Sequence, residues 1–509
     1  MTFEQIIGKI NDFMSDWILL ILLVGAGLFF TIRTKCVQVR FFGEGVRNLF
    51  KRNSKGKKGI SSFGALATAV AAQVGTGNIV GACGAILIGG PGAIFWMWII
   101  AFLGMSTIYA EAVLAHKTRV KGEDGTYRGG PVYYIKTAFK GKFGKFLAGF
   151  FAVAIILALG FFGATVQASS ISSTMNTAFG IPMWVVGLVI ALIVGVIIIG
   201  GAKRISSVAE KIVPFMAVIY LLGGIVVLCM RITYVPKTIA LIFQAAFSPN
   251  AAIGGVFGAT IAKAITQGAK RGLFSNEAGM GSTPHAHALS ENNTAHQQGT
   301  VAMIGVFIDT FVVLTITALV VISTLYTGDG PLANVTDPSQ LTGITKENMA
   351  QLAFGSVWTS SVGNIFVAVC LLFFAFTTII GWNLFGKINV EYLTEECVGK
   401  AKADKQFKFL GVNLSVKKIV VLVYSLLALG MIMLGSFLDG GLVWAFTDFF
   451  NQFMVIPNII ALLWLSNTVV KEVNANKKKK KSQQLLDGMD ANLAETADAP
   501  VEEAPAQAE

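Results

Sequence analysis

The sequence predicts an all-α polytopic membrane protein with about 11 transmembrane helices: an extra first helix plus a 5+5 inverted repeat with two broken helices. The first observation is composition, because the 509 residues are 54% hydrophobic and 13% charged, whereas soluble domains carry about 25% charged residues. The second is that eleven apolar stretches each approach the roughly 20 residues that cross a bilayer. The third is that two of these stretches are interrupted by glycine and polar residues.

The apolar stretches predict the bounds of the spans to within a few residues. They lie at residues 15–34, 62–89, 92–116, 145–176, 183–200, 208–230, 254–290, 299–326, 358–386, 417–437 and 442–466. The segment Lys237–Ala252 is apolar but short, and we expect it at the membrane interface. The chain then divides into an extra N-terminal helix (1–34), a basic cytoplasmic loop (35–61), a first five-helix repeat (62–230), an external interfacial connection (231–253), a second five-helix repeat (254–468) and a disordered cytoplasmic tail (469–509).

The positive charges predict the orientation. Lysine and arginine crowd the connections after the first, third, fifth and ninth spans, whereas Gln167–Pro182 has none and Thr327–Phe354 has a single lysine. Positively charged loops stay in the cytoplasm, so we expect the N-terminus outside and the C-terminus inside. The net charge of +12 therefore reflects membrane topology and gives no reason to expect nucleic acid. The N-terminus shows no secretory cleavage pattern, so the first span should remain as an anchor.

The first interrupted span contains the stretch Gln73–Pro91, with Gly75, Thr76, Gly77 and Asn78 close to its middle. A helix that breaks at mid-membrane leaves N–H and C=O groups that hydrocarbon cannot satisfy, so the break must line a polar cavity or meet a ligand. Free amides suit a carboxylate and free carbonyls suit a small cation. This favours a substrate and ion site; the alternative is a glycine-lined contact between helices.

The second interrupted span repeats this pattern between Gly268 and His285. The residues that an ordinary span would exclude are Gly272, Ser275, Asn276, Glu277 and Gly279. If the first span is set aside, each break falls in the first helix of a five-helix half. Five helices is an odd number, so the two halves point in opposite directions. Paired breaks in inverted halves are typical of transporters whose binding site lies at the membrane midplane.

Other polar residues in the spans extend this site. Gln167 can both donate and accept through its amide. Thr377–Thr378, with the carbonyl of Phe374, supplies clustered oxygens that suit a hard cation; the alternative is that both hydroxyls bond back to their own helix. Trp382, one turn further on, could form the wall of a small apolar pocket or an interface anchor.

Several weaker candidates remain. Glu111 and Asp309 lie near span ends and could pair within the bundle, while Lys263, Lys270 and Arg271 could pair with Glu277 or close a gate. His285 and His287 are two residues apart, which does not place two ligands on one helix face, so a metal site is not expected. No phosphate-binding G-x-x-x-x-G-K-[ST] loop occurs, and no nucleophile–base set is evident, so neither ATP-driven transport nor an enzyme is predicted.

Two motifs carry a resemblance to a known family. V-G-T-G-N-I-V-G…G-G-P-G-A-I-F-W-M-W (Val74–Trp98) and R-G-L-F-S-N-E-A-G-M-G-S (Arg271–Ser282) resemble the alanine or glycine:cation symporter family, the sodium:alanine symporters. The resemblance covers the chain to about residue 470. It implies the fold of the bacterial leucine transporter, with an extra first helix before the inverted repeats.

The resemblance also implies three sets of site residues. The substrate set, in which the amides of Thr76 and Gly77 would hold the carboxylate, is Thr76, Gly77, Asn78, Gln167, Phe274, Ser275, Asn276, Glu277 and Trp382. The sodium set is Ala71, Val74, Phe374, Thr377 and Thr378. The set for a second sodium ion is Gln73, through its carbonyl, with Asn78 and Ser275. Glu277 would either brace the break or meet the substrate amine.

The implied function is secondary active symport, in which sodium influx drives uptake of a small neutral amino acid, alanine or glycine first, by alternating access. The expected partners are that amino acid, sodium as coupling ion, and lipid of a bacterial-type plasma membrane; no other cofactor is expected. The alternatives are an uncoupled facilitator or channel, the same mechanism with glutamine or D-alanine, and coupling to protons.

Overall fold

The computed structural model describes residues 3–50, 60–122, 125–247, 261–291, 294–333, 343–409, 412–438 and 440–476. Within these ranges nearly all regular structure is helical. The strands form two short antiparallel hairpins, β1 (Val120–Lys121) with β2 (Tyr127–Arg128) and β3 (Gln406–Phe409) with β4 (Val412–Ser415). The molecule is therefore built from packed helices, as the composition predicts.

The described part of the first half of the chain contains eleven helices. They are α1 (Ile6–Arg33), α2 (Val37–Arg40), α3 (Phe42–Phe50), α4 (Ser62–Gln73), α5 (Gly77–Gly89), α6 (Gly92–Thr118), α7 (Pro131–Ala138), α8 (Gly141–Phe179), α9 (Met183–Ile199), α10 (Gly201–Met230) and α11 (Ile232–Phe247). The described part of the second half continues with α12 (Ile261–Asn276), α13 (Pro284–Ala288), α14 (Ala295–Tyr326), α15 (Met349–Val357), α16 (Ser360–Val398), α17 (Lys400–Asp404), α18 (Val416–Leu434) and α19 (Gly440–Trp464). A further helical stretch covers residues 466–476.

Eight of the described helices are long and apolar enough to span a membrane, and the bent pair α4–α5 makes a ninth. The predicted fifth span is α9, which has 17 residues. The predicted seventh span appears as α12 and α13 separated by a turn, and residues 254–260 lie outside the described residues. The predicted helical membrane fold is confirmed. The division into repeats remains a prediction. The disordered tail was predicted to begin at residue 469, but residues 469–476 are helical, and the rest of the tail, from Lys477, lies outside the described residues.

The first break is visible between α4 and α5. The Ser61 hydroxyl accepts a hydrogen bond from the amide of Gly64 and so begins α4. Val74 then adopts an extended conformation (φ −79°, ψ 91°), and the two helices meet at 48°. The chain bends where glycines permit it, which leaves the last carbonyls of α4 free for other partners.

The second break, between α12 and α13, is made by residues with a left-handed backbone conformation. Glu277 has φ of +57°, and Gly279 and Gly281 have φ of +91° and +82°. A left-handed conformation is unfavourable for a glutamate, and such a residue persists only where its surroundings hold it in place. This local strain marks Glu277 as a residue with a specific role.

Small residues bring the broken helices close to their neighbours. A Cβ added at Gly268 would lie 2.6 Å from the Cβ of Trp96, so α12 touches α6 through bare backbone. A Cβ at Gly381 of α16 would lie 3.2 Å from the Cβ of Ala72 in α4. The predicted site residues lie where α4–α5, α12–α13, α6, α8, α14 and α16 meet.

Candidate functional site

The two breaks are in direct contact. A Cβ added at Gly77 would lie 2.9 Å from the Cα of Ser275, so the start of α5 touches the end of α12. The Gln73 side chain donates to the carbonyl of Asn276 at 2.6 Å. Since both broken ends are buried, the free backbone groups of each are satisfied partly by the other.

An oxygen cluster surrounds Thr378 of α16. Its hydroxyl donates at 2.9 Å to the carbonyl of Ala71 and at 3.1 Å to that of Phe374, and the carbonyl of Val74 lies 3.4 Å away. A Cβ at Gly75 would lie 2.4 Å from this hydroxyl, so the close approach needs glycine. The structure thus brings together four of the five residues that the resemblance implies for sodium.

Thr377, the fifth member of that set, shares one of these carbonyls. Its hydroxyl donates to Phe374 at 2.9 Å and lies 3.6 Å from the sulfur of Met216 in α10. Both hydroxyls therefore bond back to their own helix, which was the alternative interpretation, and Thr378 in addition reaches across to α4. The two threonines thus bond within α16, and Thr378 also bonds to the carbonyl of Ala71 in α4.

Gln167 of α8 meets the first break. Its Oε1 accepts the amide of Thr76 at 3.1 Å, so this amide, which the resemblance assigns to a substrate carboxylate, is bonded to a side chain in this structure. The Nε2 of Gln167 and the hydroxyl of Thr76 are buried and have no hydrogen-bond partner among the residues that the structure describes. Unpartnered buried donors are costly, so these two groups point to a polar ligand.

Asp309 of α14 links the two breaks to a third helix. Its carboxylate accepts from the amide of Asn78 at 2.7 Å and from the hydroxyls of Ser275 (3.1 and 3.0 Å) and Thr310 (2.8 Å). The amide oxygen of Asn78 in turn accepts from the backbone of Gly75 at 3.0 Å. The sequence suggested that Asp309 lies near a span end and could pair within the bundle. The residue is instead buried near the middle of α14 (Ala295–Tyr326), and only the fold shows its partners.

Two residues of the predicted substrate set stabilise the second break itself. Asn276 accepts the amide of Ala278 at 3.0 Å. Glu277 accepts from the indole of Trp382 and from the hydroxyl of Ser282, both at 2.5 Å. These bonds explain how the strained backbone of Glu277 is held, and they favour the bracing role over contact with a substrate amine.

Trp382 and Phe274 form the apolar part of the site. Their ring centroids lie 5.9 Å apart in an edge-to-face arrangement, and both side chains are buried. A Cβ at Gly163 of α8 would lie 2.6 Å from the Trp382 ring, and one at Gly77 would lie 3.3 Å from the Phe274 ring. Two aromatic rings thus pack directly against bare backbone of α5 and α8.

Glu111 of α6 is a functional residue to which the sequence gave little weight. Its carboxylate accepts the amides of Gly279 (3.0 Å) and Gly281 (2.9 Å) and the side-chain amide of Asn458 (2.6 Å). It is completely buried. A single carboxylate therefore satisfies two backbone groups that the second break leaves free.

A cluster of charges and rings closes one end of the site. Lys270 and Arg271, one turn before Phe274, pair with Asp448 of α19 at 3.1 and 3.4 Å. The prediction that they pair with Glu277 is wrong, because Glu277 faces Trp382 on the other side of the break. Arg271 also lies 4.7 Å from the ring centroid of Trp444.

Trp444 extends this outer cluster. Its ring lies 4.8 Å from Phe274 and 4.7 Å from the ammonium of Lys346. Burial lowers the pKa of Lys346, and the charge of Arg271 lowers it further, while Glu347 at 3.6 Å opposes both effects. The cluster joins α12, α19 and the segment before α15, and it contacts the site through the ring of Phe274.

The buried histidines have structural partners. His285 contacts the carbonyl of Ser282 at 2.7 Å and the side chain of Asn389 at 2.8 Å, and His287 contacts Gln298 at 2.7 Å. In the part of the chain that the structure describes, no three His, Cys, Asp or Glu side chains are grouped as metal ligands. These histidines hold α13 against its neighbours.

The comparison with solved structures defines the class of protein. The chain superimposes on the crystal structure of MhsT in complex with L-phenylalanine with a TM-score of 0.53, covering 82% of this chain and 99% of that one at 12% identity. At this identity the match establishes only the fold, which is that of the leucine-transporter class of membrane transporters.

The comparison with families is more specific. The model of the sodium:alanine symporter family matches residues 1–489, and the chain belongs to that family. It is 37% identical to the sodium/alanine symporter AgcS of Methanococcus maripaludis, over 93% of this chain and 97% of the relative. It is also 37% identical to the "Probable sodium/glutamine symporter GlnT" of Bacillus subtilis, over 94% and 92%.

Proposed function

We propose that this protein is a secondary active symporter that couples sodium influx to the uptake of a small neutral amino acid, with alanine or glycine as the first candidates. The observation that carries this proposal is the oxygen cluster at Thr378, which joins α4 and α16. Family membership and the names of the relatives, sodium/alanine and sodium/glutamine, support the same class of transport.

The sodium site follows from the chemistry of this cluster. Three carbonyl oxygens, from Ala71, Val74 and Phe374, face one hydroxyl. Hard cations prefer oxygen ligands, and backbone carbonyls are among those they bind. A sodium ion would take over the interactions that the Thr378 proton now makes, and Thr377 would add a further oxygen. Because the carbonyls belong to two helices, the ion would fix the first break against α16.

The substrate site follows from the neighbouring unpartnered groups. The Nε2 of Gln167 and the hydroxyl of Thr76 are suited to a carboxylate, because both can donate. The rings of Phe274 and Trp382 would bound the side chain of the substrate and favour a methyl group or hydrogen. Ordering of the first break by sodium would hold Thr76 and Gly77 in the geometry that receives the carboxylate.

A second cation site at Asp309 is supported by charge. The carboxylate of Asp309 is buried, and no lysine or arginine of the described residues lies within ion-pair distance of it. Burial of an uncompensated charge in a membrane is expensive, so a cation or a proton would stabilise this site. The hydroxyl of Ser275 contacts this carboxylate and would supply a further oxygen, whereas Asn78 meets it through its side-chain NH₂ group. Gln73, on the first broken helix, has an Oε1 with no hydrogen-bond partner among the described residues.

Coupling requires that sodium and substrate favour the same conformation. One charge that moves through 100 mV contributes about 2.3 kcal/mol, which is roughly fifty-fold in accumulation.

The orientation proposed for the protein has the N-terminus outside, as the basic loops predict. It places the cluster of Asp448 and Trp444 on the outer side and the β1–β2 hairpin on the cytoplasmic side.

The test is radiolabelled alanine uptake into proteoliposomes, with and without an inward sodium gradient, in competition with glycine and glutamine. We expect accumulation above equilibrium that collapses when the gradient is removed. Uptake of glutamine in place of alanine would keep the mechanism and replace the substrate. Dependence on a proton gradient alone would replace the coupling ion. Uptake that never exceeds equilibrium would indicate an uncoupled facilitator and overturn the proposal.

A further inference from the structure

A cleft lies beyond the central site, beside the C-terminal part of α16, on the side of the molecule where the basic loops are found. It encloses about 420 Å³, including its open mouth. The lining comes from the β1–β2 hairpin, the start of α10, the residue after α13 and one face of α16. These residues are Thr126, Tyr127, Arg128, Gly201, Ala202, Leu289, Leu384, Lys387, Ile388 and Glu391.

The cleft begins close to the central site. Leu384 follows Trp382 by two residues on α16, so it lies about 3 Å from Trp382 along the helix axis. Lys387 follows Trp382 by five residues and lies about 7.5 Å from it along the same axis. Leu289 directly follows α13, the second half of the second broken helix. The cleft therefore adjoins the part of the broken helix that must move if a substrate is to leave on this side.

The charges of the cleft are unevenly paired. Arg128 pairs with Glu391 at 3.0 Å and lies 3.7 Å from Glu395, which is itself paired with Lys417 at 3.0 Å. Lys387 has no carboxylate within ion-pair distance among the residues that the structure describes. The charge of Lys387 interacts with that of Glu391 at longer range, so the cleft presents one cation that forms no close ion pair with the described residues, beside a carboxylate that has one.

The spacing of these groups selects a class of ligand. Lys387 and Glu391 are four residues apart on α16, so they project from one face with Cβ atoms about 5–6 Å apart. One ammonium and one carboxylate at this separation match a zwitterion, whose carboxylate would meet Lys387 and whose amine would meet Glu391. Leu289, Leu384 and Ala202 supply an apolar wall for a small side chain.

We propose that this cleft is a second, release-side binding site for a small zwitterionic amino acid. The inference rests on the proposed function, because it identifies the ligand with the transported class. None of the sodium-site residues lines the cleft, so binding here would not require sodium. With two charged contacts in an open cleft, the expected dissociation constant is on the order of millimolar.

The experiment measures protection of a cysteine in the cleft. Ala202→Cys is introduced after the exposed Cys36, Cys229 and Cys397 are replaced by serine, and the purified full chain is treated with a maleimide in sodium-free buffer. We expect alanine to slow modification about tenfold at about ten times its dissociation constant. Propionate lacks the amine and alanine methyl ester lacks the carboxylate, so neither should protect.

Two variants locate the site. Lys387→Met should abolish protection by alanine, whereas Lys400→Met, which removes an exposed lysine just beyond the same helix, should preserve it. Thr126→Cys on the hairpin is the second reporter, for use where Ala202→Cys does not fold. Absence of protection at both reporters overturns the proposal, and so does protection that persists in Lys387→Met.

The outcome is separable from that of the proposed function. Sodium-driven uptake by the parent protein is measured in the same preparation. Uptake without protection would reject the cleft and keep the symporter. Protection without sodium-driven uptake would reject the symporter and leave an amino acid site in the cleft. Protection by inorganic phosphate in place of alanine would show a simple anion site and reject the zwitterion.

Discussion

At the scale of single residues, one hydroxyl connects two helices. Thr378 bonds to a carbonyl of its own helix and to a carbonyl of α4, so its loss removes one bond across the interface and one ligand of the proposed ion. Within the described residues, the hydroxyl of Thr394 on the same helix bonds to the carbonyl of Val390 and to no other group. A comparison of variants at Thr378 and Thr394 therefore distinguishes the loss of a contact in the proposed ion site from the loss of a hydrogen bond within the helix.

We expect Thr378→Ala to raise the sodium concentration for half-maximal uptake by about tenfold, because a hydrogen bond or ligand to a charged group contributes about 1.5–3 kcal/mol. Thr394→Ala should leave that concentration unchanged. The measurement is the sodium dependence of alanine uptake at fixed protein content. An identical sodium curve for both variants would remove Thr378 from the ion site.

Gln167 is the residue for which the structure makes the sharpest substrate prediction. Gln167→Leu keeps the volume but removes the buried Nε2 donor together with the Oε1 that accepts the Thr76 amide. We expect the KM for alanine to rise about tenfold or more, since a donor to a charged group is lost. Initial rates at varied alanine provide the test, and an unchanged KM would exclude Gln167 as a carboxylate ligand.

At the scale of elements, the second broken helix depends on a carboxylate from another helix. Glu111 accepts two backbone amides of the turn between α12 and α13. A glutamine in its place would direct an NH₂ group at one of these donors. Because an unsatisfied donor would then be buried, the break would lose part of what holds its unusual backbone.

We expect Glu111→Gln to reduce the free energy of unfolding by about 2–4 kcal/mol. Glu472→Gln is the matched control, because its ion pair with Lys117 is partly exposed and such pairs contribute little. Melting temperatures of the two purified variants in the same detergent provide the comparison. Equal melting temperatures would show that the turn does not depend on Glu111.

At the scale of the whole molecule, the broken helices are held at both ends. On the side that the basic loops predict to be external, Asp448 holds α12 through Lys270 and Arg271. On the predicted cytoplasmic side, Arg119 donates to the carbonyls of Ala288 and Ser290, next to a backbone bond from Glu291 to Ile60 at 3.1 Å. Alternating access predicts that these two closures break in turn.

We therefore expect opposite effects from two variants. Asp448→Asn should increase maleimide labelling of a cysteine at Ser169, near Gly440 on the outer side, and decrease labelling at Ala202 on the inner side. Arg119→Gln should do the reverse. A change of about 1.4 kcal/mol in the balance of states would alter the ratio of the two rates about tenfold.

The control for this experiment is Lys117→Gln, which lies near Arg119 but whose ion pair is with Glu472. It should leave the ratio of the two labelling rates unchanged. A variant in which both positions become more reactive would indicate general loosening of the bundle. That result would contradict a two-state exchange between outer and inner closures.

The class of fold, the positions of most long apolar helices and the two places where such helices break can all be predicted from the sequence alone. Apolar length and glycine in mid-span follow from the cost of unpaired backbone in hydrocarbon, which acts locally along the chain. The motifs around Gly75 and Gly279 also led to the family that the comparisons established.

Only the tertiary structure decided which side chains satisfy the breaks. That Glu111 holds the turn at Gly279, that Glu277 meets Trp382 and that Arg271 meets Asp448 depend on contacts between residues more than 100 positions apart. No local pattern encodes such partners, because helix packing sets them. A buried carboxylate in a span signals a role, but its role is defined by the groups that the fold places against it.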